Sequence, residues 1–182
     1  MNWSELQVDK EWSLFLDRDG TINKKIDDGY VTKWEEFEFL PGVLDALAEC
    51  SEIFNRIVVV TNQQGVGKKL MKEAELKHIH EKMLAEIQSA GGRIDHVFYC
   101  KELADKEVNC RKPKTFMGYR ARDKFRDIDF KKSIMIGDSW SDMRFGKNLY
   151  MTTVGISEGN LGLADFNYPS LKEFSSSLLQ TM

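Results

Sequence analysis

The chain has 182 residues, 42% hydrophobic and 30% charged, with a formal net charge of -3; this is the size of one domain with a real core and the balance of a soluble protein, which excludes a disordered chain. No apolar run approaches the length of a membrane span, and the first dozen residues lack the apolar stretch of a signal peptide, so a cytoplasmic protein without a membrane partner is expected. The acidic balance gives no global attraction to nucleic acid, and three sparse cysteines, Cys50, Cys100 and Cys110, read as reduced thiols.

Trp12 to Asp17 (WSLFLD) reads as a first strand. After an irregular stretch, Pro41 suits the first turn of a helix in which Val43, Leu44, Leu47 and Ala48 recur at helical spacing. Arg56 to Thr61 (RIVVVT) is a β-branched run of the kind found in strands buried on both faces. A long helix follows over Lys72 to Ala90, closed by Gly91 and Gly92. Ile94 to Cys100 is the next strand, and a polar loop then leads to a helix over Thr115 to Phe125. Ser133 to Gly137 is a strand, Asp142 to Lys147 a short helix, Thr152 to Ile156 the last core strand, and SLKEFSSSLL a closing helix. This alternation predicts an α/β Rossmann-like three-layer sandwich around a central parallel sheet, with residues 1–182 forming one domain. No repeat or linker interrupts it.

Ligands of such sheets sit beyond the carboxyl ends of the strands. Three of those ends carry polar clusters: Asp17-Arg18-Asp19-Gly20-Thr21, Thr61-Asn62-Gln63 and Gly137-Asp138-Ser139. Carboxylates at the tips of apolar strands need compensation, and an all-oxygen set without histidine or thiolate suits magnesium, held by Asp17, Asp19 and Asp138. Asp17 then faces a phosphorus atom as nucleophile while Asp19 serves as acid and base. Thr61 and a lysine supply donors for the transferred group, and Lys112, in Arg111-Lys112-Pro113 at the predicted entrance of a helix, is the best-placed lysine.

These clusters resemble the haloacid dehalogenase superfamily of phosphotransferases: DRDGT its first motif, VVVTN its second, Lys112 its third and IGDSWSD its fourth. The resemblance implies that Asp17 is the nucleophile, Asp19 the acid/base, Thr61 and Lys112 phosphoryl ligands and Asp138 a magnesium ligand, with Asp142 behind them. The intervals between the motifs are filled by core elements, so a capless core is expected. Within the superfamily, DRDGTIN, DDGYV, FEFLPGV, TNQQGVG and CRKP look like the branch containing D-glycero-D-manno-heptose 1,7-bisphosphate phosphatase and histidinol-phosphate phosphatase, and more like the first. That likeness implies substrate contacts from Asp27, Asp28, Gly29, Tyr30, Asn62, Gln63, Gln64 and Arg111. Many members of the branch carry a zinc loop, but here Glu102 and Val108 stand at two of its ligand positions, and two thiols cannot complete a tetrahedral site, so zinc is not expected. Ser139 replaces a basic residue often found beside the last aspartate.

Other signals are discounted. GVGKK departs from a phosphate-binding loop at two positions, because Asn62 and Lys69 replace the glycine and the hydroxyl residue it needs. His78 and His80 point to different sides of a helix and read as surface or half-buried residues, and His96 reads as a structural histidine in a strand. The run Arg120 to Lys132 mixes both signs of charge and reads as a solvated face. The expected partner is therefore a small phosphorylated metabolite, and the expected state of the protein is a monomer. The competing readings are a histidinol-phosphate phosphatase, a DNA 3′-phosphatase, and a non-catalytic phosphate-binding protein on the same scaffold.

Overall fold

Strand residues of this chain alternate between two hydrophobic layers, and the computed structural model, which describes residues 2–181, shows what fills each. The elements in chain order are α1 (Trp3–Leu6), β1 (Ser13–Leu16), α2 (Val43–Ile53), β2 (Arg56–Asn62), α3 (Gln64–Gly67), α4 (Glu73–Ser89), β3 (His96–Cys100), α5 (Phe116–Lys124), β4 (Ser133–Gly137), α6 (Trp140–Asn148), β5 (Thr152–Ile156), β6 (Phe166–Tyr168) and α7 (Leu171–Leu179). Single 3-10 turns lie at Trp34–Glu36 and Phe130–Lys132. The six strands form one sheet in the order β3-β2-β1-β4-β5-β6, with every pair parallel.

Leu14, Leu16, Ile57, Val59, Ile134 and Ile136 point to one face of the sheet, where they meet Leu47 of α2, Met83 and Ile87 of α4, and Phe174 and Leu178 of α7. The residues between them, Phe15, Val58, Val60 and Met135, point to the other face and pack on Met117 and Ala121 of α5 and Phe145 of α6. Both layers are dry because a two-residue period in a parallel strand gives each face its own apolar set. Each such side chain contributes about 1.5–3 kcal/mol when fully buried. The predicted three-layer sandwich is the fold observed, and the segment between β1 and α2 carries only a 3-10 turn, with no separate cap among the described residues. No helix is long and apolar enough to cross a membrane.

Most predicted elements stand within two residues of their expected bounds, and the exceptions have local causes. The strand β6 and the single-turn helices α1 and α3 were not expected. Each is only three or four residues long, too short for a period to show. The first of these helices is held by tertiary contacts: the Trp3 ring stacks on Phe166 at 4.1 Å, and its indole N–H donates to the Tyr168 hydroxyl at 2.7 Å. Pro41 lies outside α2, whose N-cap is Gly42, and Pro113 lies outside α5, whose N-cap is Thr115. The expectation of reduced thiols is corrected at two positions. Cys100 and Cys110 form a disulfide across Cα atoms 5.5 Å apart, while Cys50 is free and buried. The loop between them folds back because Glu102 accepts from the Cys110 amide at 2.7 Å and Gln64 accepts from the Ala104 amide at 2.8 Å.

Two outcomes follow from this packing. Thiol titration of protein denatured without reductant should find one free sulfhydryl, rising to three after reduction. Gly146, on α6, faces the sheet so closely that a Cβ would stand 2.6 Å from Thr153 Cγ2 and 2.9 Å from Met135 Cβ. Gly146→Val should therefore cost about 1–3 kcal/mol in urea unfolding, as overpacked cores do.

Candidate active site

In the sheet, β2 and β4 lie on either side of β1, so the chain leaves the β1 tip at the point where the winding direction reverses. The Asp17 amide still donates to Ile136 O of β4 at 2.9 Å, which fixes the start of the following turn. Arg18 O then accepts from the amides of Thr21, Ile22 and Asn23. Gly20 stands at φ +88, a left-handed conformation that glycine adopts without strain, and a Cβ there would collide with the Asp138 carboxylate. The first motif is thus folded directly against the fourth.

Asp138 follows β4, and the next residue, Ser139, caps α6. The Ser139 amide and hydroxyl donate to Asp142 Oδ2 at 3.1 and 2.5 Å. This leaves Asp142 Oδ1 facing Lys112, whose Nζ lies 2.6 Å from it and 2.8 Å from Asp17 Oδ1. Lys112 is held through its main chain by Asn62 at the end of β2: its amide donates to Asn62 Oδ1 at 2.9 Å and its carbonyl accepts from Asn62 Nδ2 at 3.2 Å. Three strand ends and the loop before α5 therefore deliver Asp17, Asn62, Asp138 and Lys112 to one place.

The charges are strongly coupled. Burial and then repulsion from Asp142 push the Asp17 carboxyl up to about 6, against the pull of Lys112. Burial and then Asp17 raise Asp138. Burial disfavours charge on Lys112, but Asp142 and Asp17 outweigh it and hold the ammonium above its usual value. Asp17, Asp138 and Asp142 each offer an oxygen within 4.8 Å of the others. Asp138 Oδ1 is buried without a hydrogen-bond donor, and the Lys25 ammonium rests 3.0 Å from Asp138 Oδ2. An all-carboxylate set with an unmatched oxygen and a surface ammonium drawn toward it fits a hard divalent cation.

Asp19, expected among the metal residues, lines the same cavity as Asp17 and Asp138, and its carboxylate is held by neighbouring side chains. Burial would raise this carboxyl, but Arg18 outweighs it and holds it below the usual range. Asp19 accepts from Arg18, from Asn23 Nδ2 at 3.0 Å and from Gln63 Nε2 at 2.8 Å, so both its oxygens are engaged. Asp142, given a background position by the sequence, also has an oxygen within 4.8 Å of Asp17 and Asp138, but its Oδ2 accepts from Ser139 and its Oδ1 faces Lys112.

Of the expected substrate residues, Gly29, Tyr30, Asn62 and Arg111 line the same cavity of about 240 Å³ as Asp17, Asp19, Thr61, Lys112 and Asp138. Asp27, Asp28, Gln63 and Gln64 are absent from its wall. The first two are exposed, Gln63 bonds Thr61 Oγ1 at 3.0 Å, and Gln64 donates to the Tyr30 hydroxyl at 3.0 Å. Lys25, Ile26, Val31 and Ser141 line the cavity without having been singled out; Lys25 sits in the same loop as Asp27, and its sequence neighbours give no sign of where its ammonium reaches.

A family model described as polynucleotide kinase 3 phosphatase matches residues 14–167. The chain belongs to this phosphatase family. Its relatives include D-glycero-alpha-D-manno-heptose-1,7-bisphosphate 7-phosphatase of Mycobacterium tuberculosis, 36% identical over 91% of this chain and 90% of that protein. D-glycero-beta-D-manno-heptose-1,7-bisphosphate 7-phosphatase of Escherichia coli K12 is 37% identical over 72% of this chain and 71% of that protein. Among solved structures, the D,D-heptose 1,7-bisphosphate phosphatase of B. bronchiseptica, complexed with magnesium and phosphate, superposes with a TM-score of 0.84 at 29% identity, covering 94% of this chain and 99% of that one.

For the cation set of this family member, the Lys25 contact has a measurable effect. Lys25→Met removes a competing ammonium, so titration calorimetry of the metal-free protein should show magnesium binding several-fold more tightly than to wild type. Weaker or equal binding would mean that Lys25 does not compete for Asp138.

Proposed function

We propose that the chain is a magnesium-dependent phosphatase that removes the 7-phosphate of a D-glycero-D-manno-heptose 1,7-bisphosphate through an aspartyl phosphate on Asp17. The observation that carries this reading is the ammonium of Lys112 set between Asp17 and the buried Asp142, with Asp17, Lys112 and Asp138 opening on one small cavity. Asp17 and Asp138, with Asp19 beside them, would hold the magnesium, which when bound supplies positive charge against the phosphoryl oxygens.

An Asp17 oxygen attacks phosphorus and the bond from phosphorus to the sugar oxygen breaks. Asp19 gives that oxygen a proton. Asp19 rests ionised beside Arg18, and a phosphate monoester, whose second pKa is about 6, can bring the proton with it. In the second half, Asp19 takes a proton from water as the water oxygen attacks phosphorus and Asp17 leaves as a carboxylate. Lys112 and Thr61 face the equatorial oxygens, where charge builds in a loose transition state.

Selectivity falls to the cavity wall. Ile26, Gly29, Tyr30 and Val31 form one side of it and Arg111 another. Among the described residues the Arg111 guanidinium makes one long donation, to Glu102 O at 3.4 Å, and so is available to the phosphate that is not removed. The relatives named for the alpha anomer align over more of the chain than those named for the beta, which favours the alpha substrate. The active unit in this reading is a single-domain cytoplasmic monomer with no membrane or nucleic-acid partner. The name of the matching family model makes a 3′-phosphorylated oligonucleotide the competing substrate, and the net charge of -3 weighs against it.

With magnesium, purified protein should release phosphate from the heptose bisphosphate, faster from the alpha than the beta anomer, and a chelator should abolish release. Asp17→Asn should lower turnover by about a thousandfold or more while the circular dichroism spectrum is unchanged. Preferential release from the oligonucleotide or from histidinol phosphate would replace this reading.

A further inference from the structure

Arg18 is the largest side chain in the molecule to be completely buried, and an ionised guanidinium in that position must find partners for all its N–H groups. Its Nη2 donates to both oxygens of Asp19 at 2.8 and 2.9 Å, and Nε donates to Asp19 Oδ1 at 3.3 Å. Its Nη1 points the other way, to His80 Nε2 at 3.1 Å. A guanidinium has no acceptor, so Nε2 must be the unprotonated nitrogen and the imidazole carries its hydrogen on Nδ1. Burial, followed by the charge of Arg18, holds the His80 pKa down to about 3, so the ring is neutral at ordinary pH. His80 is 5% exposed on α4, among the buried Leu76, Ile79 and Met83 of that helix and against the Tyr99 ring at 5.6 Å.

We propose that His80 is a positioning residue for the acid/base Asp19, acting through Arg18; this rests on the phosphatase reading above. Arg18 has a long flexible stem, and its immediate neighbour Asp19 is itself on a turn, so neither fixes the other in space. His80 ties the outer end of the guanidinium to a long helix packed on the core. Without the acceptor, Nη1 would be left buried and unbonded, and the guanidinium would shift to satisfy it and carry Asp19 along. The remaining holders of Asp19, Asn23 and Gln63, contact it without restraining Arg18.

The test is the dependence of rate on leaving group, because an acid is needed only when the departing oxygen is a poor leaving group. The value of kcat/KM covers steps up to phosphoryl transfer to Asp17. A sugar alkoxide needs the Asp19 proton at that stage, whereas p-nitrophenolate departs without one. In His80→Leu, kcat/KM for the heptose bisphosphate, or for whichever alkyl phosphate the wild type turns over, should fall about 10- to 100-fold. For p-nitrophenyl phosphate it should change less than about threefold, because that transfer needs no acid. His80→Gln, which places an amide oxygen where Nε2 stood, should restore the alkyl-to-aryl ratio. His80→Phe keeps an aromatic ring in the packing without an acceptor and should reproduce the leucine result if the leucine variant does not fold. A parallel loss on both substrates, or an unchanged ratio in the apolar variants, overturns the proposal while leaving the phosphatase reading intact. A wild type inactive on every phosphate ester overturns both.

Discussion

The ammonium of Lys112, buried between two carboxylates, is the contact on which the rest of the site depends. Unit charges about 4 Å apart attract by about 4 kcal/mol at the effective dielectric of a protein near its surface, and Asp17, Asp138 and Asp142 repel one another on the same scale. The ammonium in their midst offsets that repulsion. Lys112 cannot reach that position alone, since its loop has no ladder to hold it; the Asn62 amide grips its main chain from both sides. Asp142 is turned toward it because Ser139 occupies the other carboxylate oxygen. Second and fourth motifs are thus joined through the third, and each would be misplaced without the others.

Positions on the sheet support the role proposed for Asp17. It leaves the central strand, while Thr61 and Asp138 leave the strands on either side, so donors for a phosphoryl group and a carboxylate for a cation flank it. The close approach at Gly20 then brings the turn after Asp17 onto Asp138. Arg18, the residue between Asp17 and Asp19, is fully buried and bonded to the Asp19 carboxylate.

Much of this was legible in the sequence because it is written in local patterns. RIVVVT and SIMIG are apolar enough to be strands buried on both faces, and a strand that ends in aspartate announces a site. What could not be read depends on direction and distance. That Asp19 is gripped by Arg18 and that Asp142 faces Lys112 are decided by how each side chain leaves its turn. His80 looks like any helix residue until the fold sets it against Arg18, sixty-two positions earlier. The Cys100–Cys110 pairing depends on a loop that folds back on Glu102. Asp27 and Asp28 share the motif-like segment DDGYV with Gly29 and Tyr30, yet only the latter two face the cavity.

The stretch from Lys24 to Leu40 covers the reacting groups without belonging to the sheet, anchored at its two ends by the bonds Lys24 N to Glu38 O and Leu40 N to Ile22 O. Those ends lie side by side, so the stretch is a closed excursion from an otherwise finished machine. Its exposed part, residues 24–29, could vary while Val31, Trp34 and Phe37 kept the rest packed on the core. A lineage can therefore trade one phosphorylated metabolite for another by editing a single surface segment, leaving the bond-breaking apparatus inherited whole.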